Sequence, residues 1–191
     1  MVRSPSLKLA LVVLQGGMWA FGQFAVYAES FSAPTGSATA TGDNAVAIGE
    51  SASGAGDASV AVGNASNASQ DSAIAIGNSS NAQAAAATAI GLGASASEVN
   101  SIAIGRASLS NQAGGIALGA SSDTSGTNAI AIGVGSNASA TNAAAVGTSA
   151  NANKTNAAAL GTAAVGSGTN ATALGAASSA SNSNGVGVAR E

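Results

Sequence analysis

"NSIAIG", Asn100-Ser101-Ile102-Ala103-Ile104-Gly105, is the stretch on which the fold turns. In an extended chain Ile102 and Ile104 share one side and Ala103 lies on the other, because successive strand side chains alternate. Close copies recur along the chain: "DNAVAIG" from Asp43, "DASVAVG" from Asp57, "DSAIAIG" from Asp71, "TNAIAIG" from Thr127 and "TNATALG" from Thr169. Gly49, Gly63, Gly77, Gly91, Gly105, Gly119, Gly133, Gly147, Gly161 and Gly175 fall 14 residues apart. An aliphatic residue precedes each: Ile48, Val62, Ile76, Ile90, Ile104, Leu118, Ile132, Val146, Leu160 and Leu174. An alanine precedes each of these: Ala47, Ala61, Ala75, Ala89, Ala103, Ala117, Ala131, Ala145, Ala159 and Ala173. Ten full repeats run over 43–182 without insertion. A partial eleventh, 183–191, carries Ala189 in the glycine position.

A unit of 14 residues is too short for the helix pairs of helical repeat proteins, and its alternation points to strand. The glycine suits a turn that needs a positive φ or a close backbone approach. In the second half of the unit, Ser136 and Ala138 are small while Asn137 and Ser139 are polar, which reads as a second short strand. The expected fold is all-β: a parallel β-roll, or β-solenoid, of 14-residue coils with two short strands per coil. Coils stacked at the strand spacing of about 4.8 Å make a ten-coil rod roughly 48 Å long.

Composition agrees with a thin, regular core. Of 191 residues, 46% are hydrophobic but mostly alanine, and only 7% are charged. Trp19, Phe21, Phe24 and Tyr27 crowd the N-terminus, and Phe31 is the only other aromatic residue. Large apolar side chains, the usual source of burial, are scarce. We therefore expect the Ile/Val/Leu side of the first strand to fill the coil. Small second-strand residues such as Ser66, Ala68, Ser80, Ala82, Ser136 and Ala138 then face it. Ala144, Ala158 and Thr172 replace the first aliphatic in the last three repeats, which predicts looser C-terminal coils. The outward second-strand positions vary freely: Ser53, Asn67, Asn81, Ser95, Leu109, Asp123, Asn137, Asn151, Val165 and Ser179. The alanine ladder from Ala47 to Ala173 never varies. On this reading it points outward and is a candidate subunit-contact ladder, where small side chains let a neighbour approach. The alternative is that alanine merely suits the twist of a single coil.

The first 28 residues read as a secretory signal peptide. Arg3 and Lys8 give a positive start, the run Leu9–Ala28 is apolar, and Val26-Tyr27-Ala28 offers a small-residue cleavage site. An uncleaved anchor is the rival, because the run is long enough to span a bilayer. Residues 29–42 are a lead-in. Once the signal is removed, the chain has no membrane span. With no cysteine in an exported chain, disulfides do not supply the stability.

The charge balance is −3, and the bases beyond the signal are only Arg106, Lys154 and Arg190. A nucleic-acid partner needs clustered bases, so that class is excluded. No histidine or cysteine is present, which removes the usual bases and thiolates, and the serines sit at repeat positions with no base beside them. No enzyme activity, cofactor or metal is expected. Asp43, Asp57 and Asp71 line one corner, but they fall short of the six to eight oxygens calcium takes, and they read as a solvated corner. Thr127-Asn128, Thr141-Asn142, Thr155-Asn156 and Thr169-Asn170 read as turn residues, with ice binding a distant third function.

The repeat resembles the head of YadA-like trimeric autotransporter adhesins. Asn100 to Gly105 followed by Ser108 is the nearest copy, with Asn128 to Gly133, Ser136 and Ala138 close behind. The resemblance covers 43–182. It implies a left-handed β-roll, a homotrimer and display on the outer membrane of a Gram-negative bacterium. It also implies a non-enzymatic adhesive function toward extracellular matrix proteins, host cells or sister cells. A structural spacer rod is the alternative. Family members continue into a neck, a coiled-coil stalk and a membrane barrel. Residues after Asn182 show neither heptads nor barrel strands, so the chain reads as the first part of a longer adhesin, a truncated frame, or a soluble and secreted head.

Overall fold

The computed structural model describes residues 38–189. The signal segment and most of the lead-in lie outside the described residues. Among the described residues every regular element is a short strand, and no helix is long and apolar enough to cross a membrane.

The first half of each repeat forms a three-residue strand, from Val46–Ile48 to Val186–Val188, and these stack into one 11-stranded sheet. The second half forms a two-residue strand, from Thr39–Ala40 to Ser179–Ala180, and these stack into a second 11-stranded sheet. All pairings are parallel and keep the sequence phase: Ile102 pairs with Ile116, Ala103 with Ala117 and Ile104 with Leu118. The partial eleventh repeat joins the stack, with Thr172 opposite Val186. Backbone bonds link coil to coil along the rod, as where Ile102 N donates to Gly115 O at 2.9 Å and Gly105 N to Ile90 O at 2.8 Å.

Two tight turns close each coil. In the leading turn, before the three-residue strand, Ser101 N donates to Glu98 O at 3.0 Å. In the trailing turn, after it, Ser108 N donates to Gly105 O at 3.3 Å. The third residue of each turn is left-handed, Asn100 at φ +58° and Ala107 at +53°, as a type II turn requires. Asparagine tolerates this backbone, which is why it recurs before the strand; alanine holds it at a cost of about 1 kcal/mol.

The turns also decide what lies inside. A β-turn brings its ends within about 7 Å, whereas sheets faced by branched aliphatics stand about 10 Å apart. Only small side chains fit so narrow a gap. Each coil accordingly turns four positions inward, in the middle coils Ser101, Ala103, Ser108 and Ser110, all at 0% exposure. The second-strand residues Ser66, Ala68, Ser80, Ala82, Ser136 and Ala138 are buried as expected.

The first strand is reversed relative to the expectation. Ala47, Ala61, Ala75, Ala89, Ala103, Ala117, Ala131, Ala145, Ala159 and Ala173 are the core of the single chain, none above 1% exposed, so they contact no neighbour. The Ile/Val/Leu side faces outward: Ile104 and Ile132 are 37% and 38% exposed. Sequence reasoning placed the larger hydrophobes inside, but the turn span leaves no room for them. The predicted loosening of the C-terminal coils fails for the same reason. Ala144, Ala158 and Thr172 thin the outer face, while the core residues Ala145, Ala159 and Ala173 remain at 0%.

Buried hydroxyls need partners. Ser66, Ser80, Ser108, Ser122, Ser136 and Ser178 each donate to the carbonyl of the repeat glycine three residues earlier, at 2.8–3.0 Å. Thr124 Oγ1 lies 3.0 Å from Ser110 Oγ one coil away. The Gly115 position between them leaves space, since a Cβ there would meet both hydroxyls, at 2.6 and 2.8 Å. The Ser59 hydroxyl is the exception, buried without a partner.

Candidate functional site

The rod presents repeated surfaces, so its functional site is a face or an edge. The three-residue strands carry two outward columns. One runs Val46, Val60, Ile74, Thr88, Ile102, Ile116, Ile130 and then Ala144, Ala158 and Thr172, all half-buried. The other runs Ile48, Val62, Ile76, Ile90, Ile104, Leu118, Ile132, Val146, Leu160 and Leu174. Ile48 and Leu174 are 45% and 49% exposed. An aliphatic face that persists for ten coils far exceeds the scattered apolar residues normal on a monomer's surface, and such faces mark interaction sites. These columns are the residues that sequence reasoning misplaced.

The opposite face, on the two-residue strands, is polar and nearly uncharged. Ser53, Asn67, Asn81, Ser95, Asp123, Asn137 and Asn151 lie along it, half-buried, with Leu109 and Val165 as apolar interruptions. Neighbouring amides bond along the axis, Asn67 Nδ2 donating to Asn81 Oδ1 at 3.0 Å. The Asn151 Oδ1 ladder position ends at Val165, and that oxygen is buried without a partner.

The two turns form the edges of the rod. On the leading edge the Asp43, Asp57 and Asp71 carboxylates point along the axis: Asp57 Oδ1 accepts from Asp43 N at 2.9 Å, and Asp71 Oδ1 from Asp57 N at 3.0 Å. Asp57 and Asp71 therefore cap backbone donors, and among the described residues no group of three or more His, Cys, Asp or Glu side chains is placed to hold a metal ion. Farther along the same edge, asparagines take over in a ladder: Asn142 Nδ2 donates to Asn156 Oδ1 at 3.1 Å, Asn156 to Asn170 at 2.9 Å and Asn170 to Asn184 at 3.1 Å. The Thr-Asn pairs from Thr141 on thus use their amides within the protein. On the trailing edge, Asn78 Nδ2 donates to Asn64 Oδ1 at 3.2 Å.

The repeat glycines sit where the three-residue strand meets the trailing turn. Gly49, Gly63, Gly77, Gly91, Gly105, Gly119, Gly133, Gly147, Gly161 and Gly175 have φ between +105° and +139°. They hold the backbone geometry of the turn. Among the described residues these faces offer apolar area on one side and repeated amides and hydroxyls on the other.

Comparison with known proteins places the sequence in a family. The family model described as the YadA head domain repeat matches residues 36–53, 55–80, 68–94, 82–108, 96–122, 110–136, 125–150, 138–164 and 167–186. Among solved structures, the collagen-binding domain of the Yersinia adhesin YadA aligns at 26% identity and a TM-score of 0.42, covering 81% of this chain and 71% of that one. No curated protein matches the chain.

Proposed function

Because the chain belongs to the family of YadA head domain repeats, we propose that it is the head of a non-enzymatic surface adhesin. In this reading three identical chains pack their outer aliphatic faces together. The Ser/Asn faces then point outward as the attachment surface. The observation that carries the reading is the pairing of these two faces on one thin rod: a continuous aliphatic side beside a polar, low-charge one. Burying the aliphatic side between chains removes an aggregation hazard. The polar side repeats the same weak contact at every coil, and three chains multiply it further, so avidity supplies the strength. The ligand class is an extracellular matrix protein or a cell-surface molecule, on a host or a sister cell. The site of action is the outside of a Gram-negative cell, reached by export.

The test has two parts. Light scattering of the exported chain gives its mass, and Ile104→Glu with Ile132→Glu should reduce a trimer to monomers while the β signal in circular dichroism persists. Saturable binding of the trimer to immobilised collagen, fibronectin, laminin or intact cells supports adhesion. A trimer that binds none of these at micromolar concentration is a spacer rod. A monomeric unmodified chain refutes the assembly.

A further inference from the structure

The edges of the rod carry information that its flat faces do not. Along the leading edge, the second residue of the turn reads Asp43, Asp57, Asp71, then Ala85, Val99, Ala113, then Thr127 and Thr141. Along the trailing edge it reads Glu50, Asn64, Asn78, then Leu92, Arg106, Ala120, Val134, then Thr148, Thr162 and Ala176. The leading edge is apolar from Ala85 to Ala113 and the trailing edge at Leu92, Ala120 and Val134, so the two apolar stretches overlap in the middle coils, with Arg106 among them. The exposure there is high: Leu92 is 54% exposed, Val134 56% and Val99 47%. Within a single chain the two edges do not touch, since a strand of three residues lies between them at about 3.3 Å per residue. A single rod in water supplies no reason for them to change together.

The charges follow the same division. Between Asp71 and Asp123 the chain has two charged side chains, Glu98 and Arg106. Glu98 opens a leading turn and Arg106 lies in the following trailing turn, both exposed, on opposite edges. They are eight residues apart in a coil that rises about 4.8 Å, so their heights differ by roughly 3 Å.

We propose that the leading edge of one chain docks against the trailing edge of the next, parallel and in register. Leu92 of one copy lies against Val99 of its neighbour in this seam, and Arg106 pairs with the neighbour's Glu98. The occupant is a second copy of this chain. Apolar patches that appear on both edges at one height become one buried strip, and a lone base meets a lone acid. The inference rests on the proposed assembly through the outer aliphatic face and adds to it the second contact zone that sets its register. A contact between unlike surfaces that closes by rotation makes a ring, whereas like edges meeting would make a two-fold dimer.

The native chain has no cysteine, so the seam can be tested by cross-linking. Leu92→Cys and Val99→Cys chains are prepared separately, then unfolded, mixed and refolded, and treated with a short bismaleimide. The mixture should give covalent dimers of one chain of each kind, and either variant alone should give none. Covalent dimers from one variant alone would mean that like edges meet, and would overturn the seam. An oligomer by light scattering whose mixture yields no cross-link would overturn it as well. A monomeric unmodified chain sinks the assembly on which the seam rests, and is recognised by its mass before any cross-linker is added. For the charge pair, Arg106→Glu should weaken association about tenfold or more, and adding Glu98→Arg should restore most of it. Asp123→Asn should leave association unchanged. Weakening by that change and not by Glu98→Gln would assign Arg106 to its own chain's Asp123 and remove the pair from the seam.

Discussion

Replacing Gly105 by alanine tests the link between turn geometry and coil stacking. Gly105 has φ +135°, a region that is essentially glycine's alone, and forcing alanine into it costs about 1–3 kcal/mol. A Cβ built there lies 2.4 Å from Gly119 O and 2.5 Å from Gly119 C, in the backbone of the next coil. Backbone cannot swing aside as a side chain can, so the coils must part locally and stretch the bond from Gly119 N to Ile104 O, now 2.8 Å. Loss of one such bond adds roughly 1 kcal/mol, which brings the total to about 2–4 kcal/mol. Gly93 is the control. It lies in the trailing turn of the preceding coil at φ +64°, with nothing within 4 Å of a built Cβ. Gly93→Ala should cost only about 1 kcal/mol, as alanine already does at the equivalent Ala107. Equilibrium denaturation of both variants, monitored at the β signal, gives the comparison. Equal midpoints would refute the claim that the Gly105 backbone position, and not merely turn flexibility, sets the coil spacing.

Substitutions at four further positions probe the core, the outer face, the turns and the leading edge. Ala103→Leu should destabilise by about 3 kcal/mol or more because the gap between sheets has no room for it, whereas Ile104→Leu, on the outer face, should change stability by less than about 1 kcal/mol; thermal melts check both. Ala86 holds a left-handed turn position at φ +55°, so Ala86→Asn should raise stability by roughly 0.5–1 kcal/mol in the same assay. Asp57→Ala removes the acceptor for Asp43 N and should cost about 1 kcal/mol, while Asp57→Asn keeps an acceptor and should cost less; equal losses would assign the role to charge.

The 14-residue phase, the parallel stacking and the two strands per coil are all legible in "NSIAIG" and its copies, because alternation and spacing are local properties of the chain. The inward direction of Ser66 and Ala138 follows from the same alternation. Alternation alone does not say which side of Ile102-Ala103-Ile104 is inside. The choice of the aliphatic side rests on transfer free energy, which favours burying isoleucine over alanine wherever there is room. Room is a geometric quantity, fixed here by turns that reverse the chain within four residues at Glu98–Ser101 and Gly105–Ser108. The constancy of the alanine column does signal close packing, but its partner is the chain's own second sheet. Counting turn residues before assigning faces would have pointed to alanine. The edge pattern of Leu92, Val99 and Val134 was also present in the sequence, but it gains meaning only once each turn residue has been assigned to an edge.

The hydrogen bonds between coils run along the rod, while the covalent chain winds around it. A pull on the two ends therefore loads non-covalent bonds first. Coils should peel off from an end one at a time, each freeing 14 residues of chain and lengthening the molecule by about 40 Å. Under load such a rod yields in instalments, extending over a distance many times its resting length before the last coil lets go.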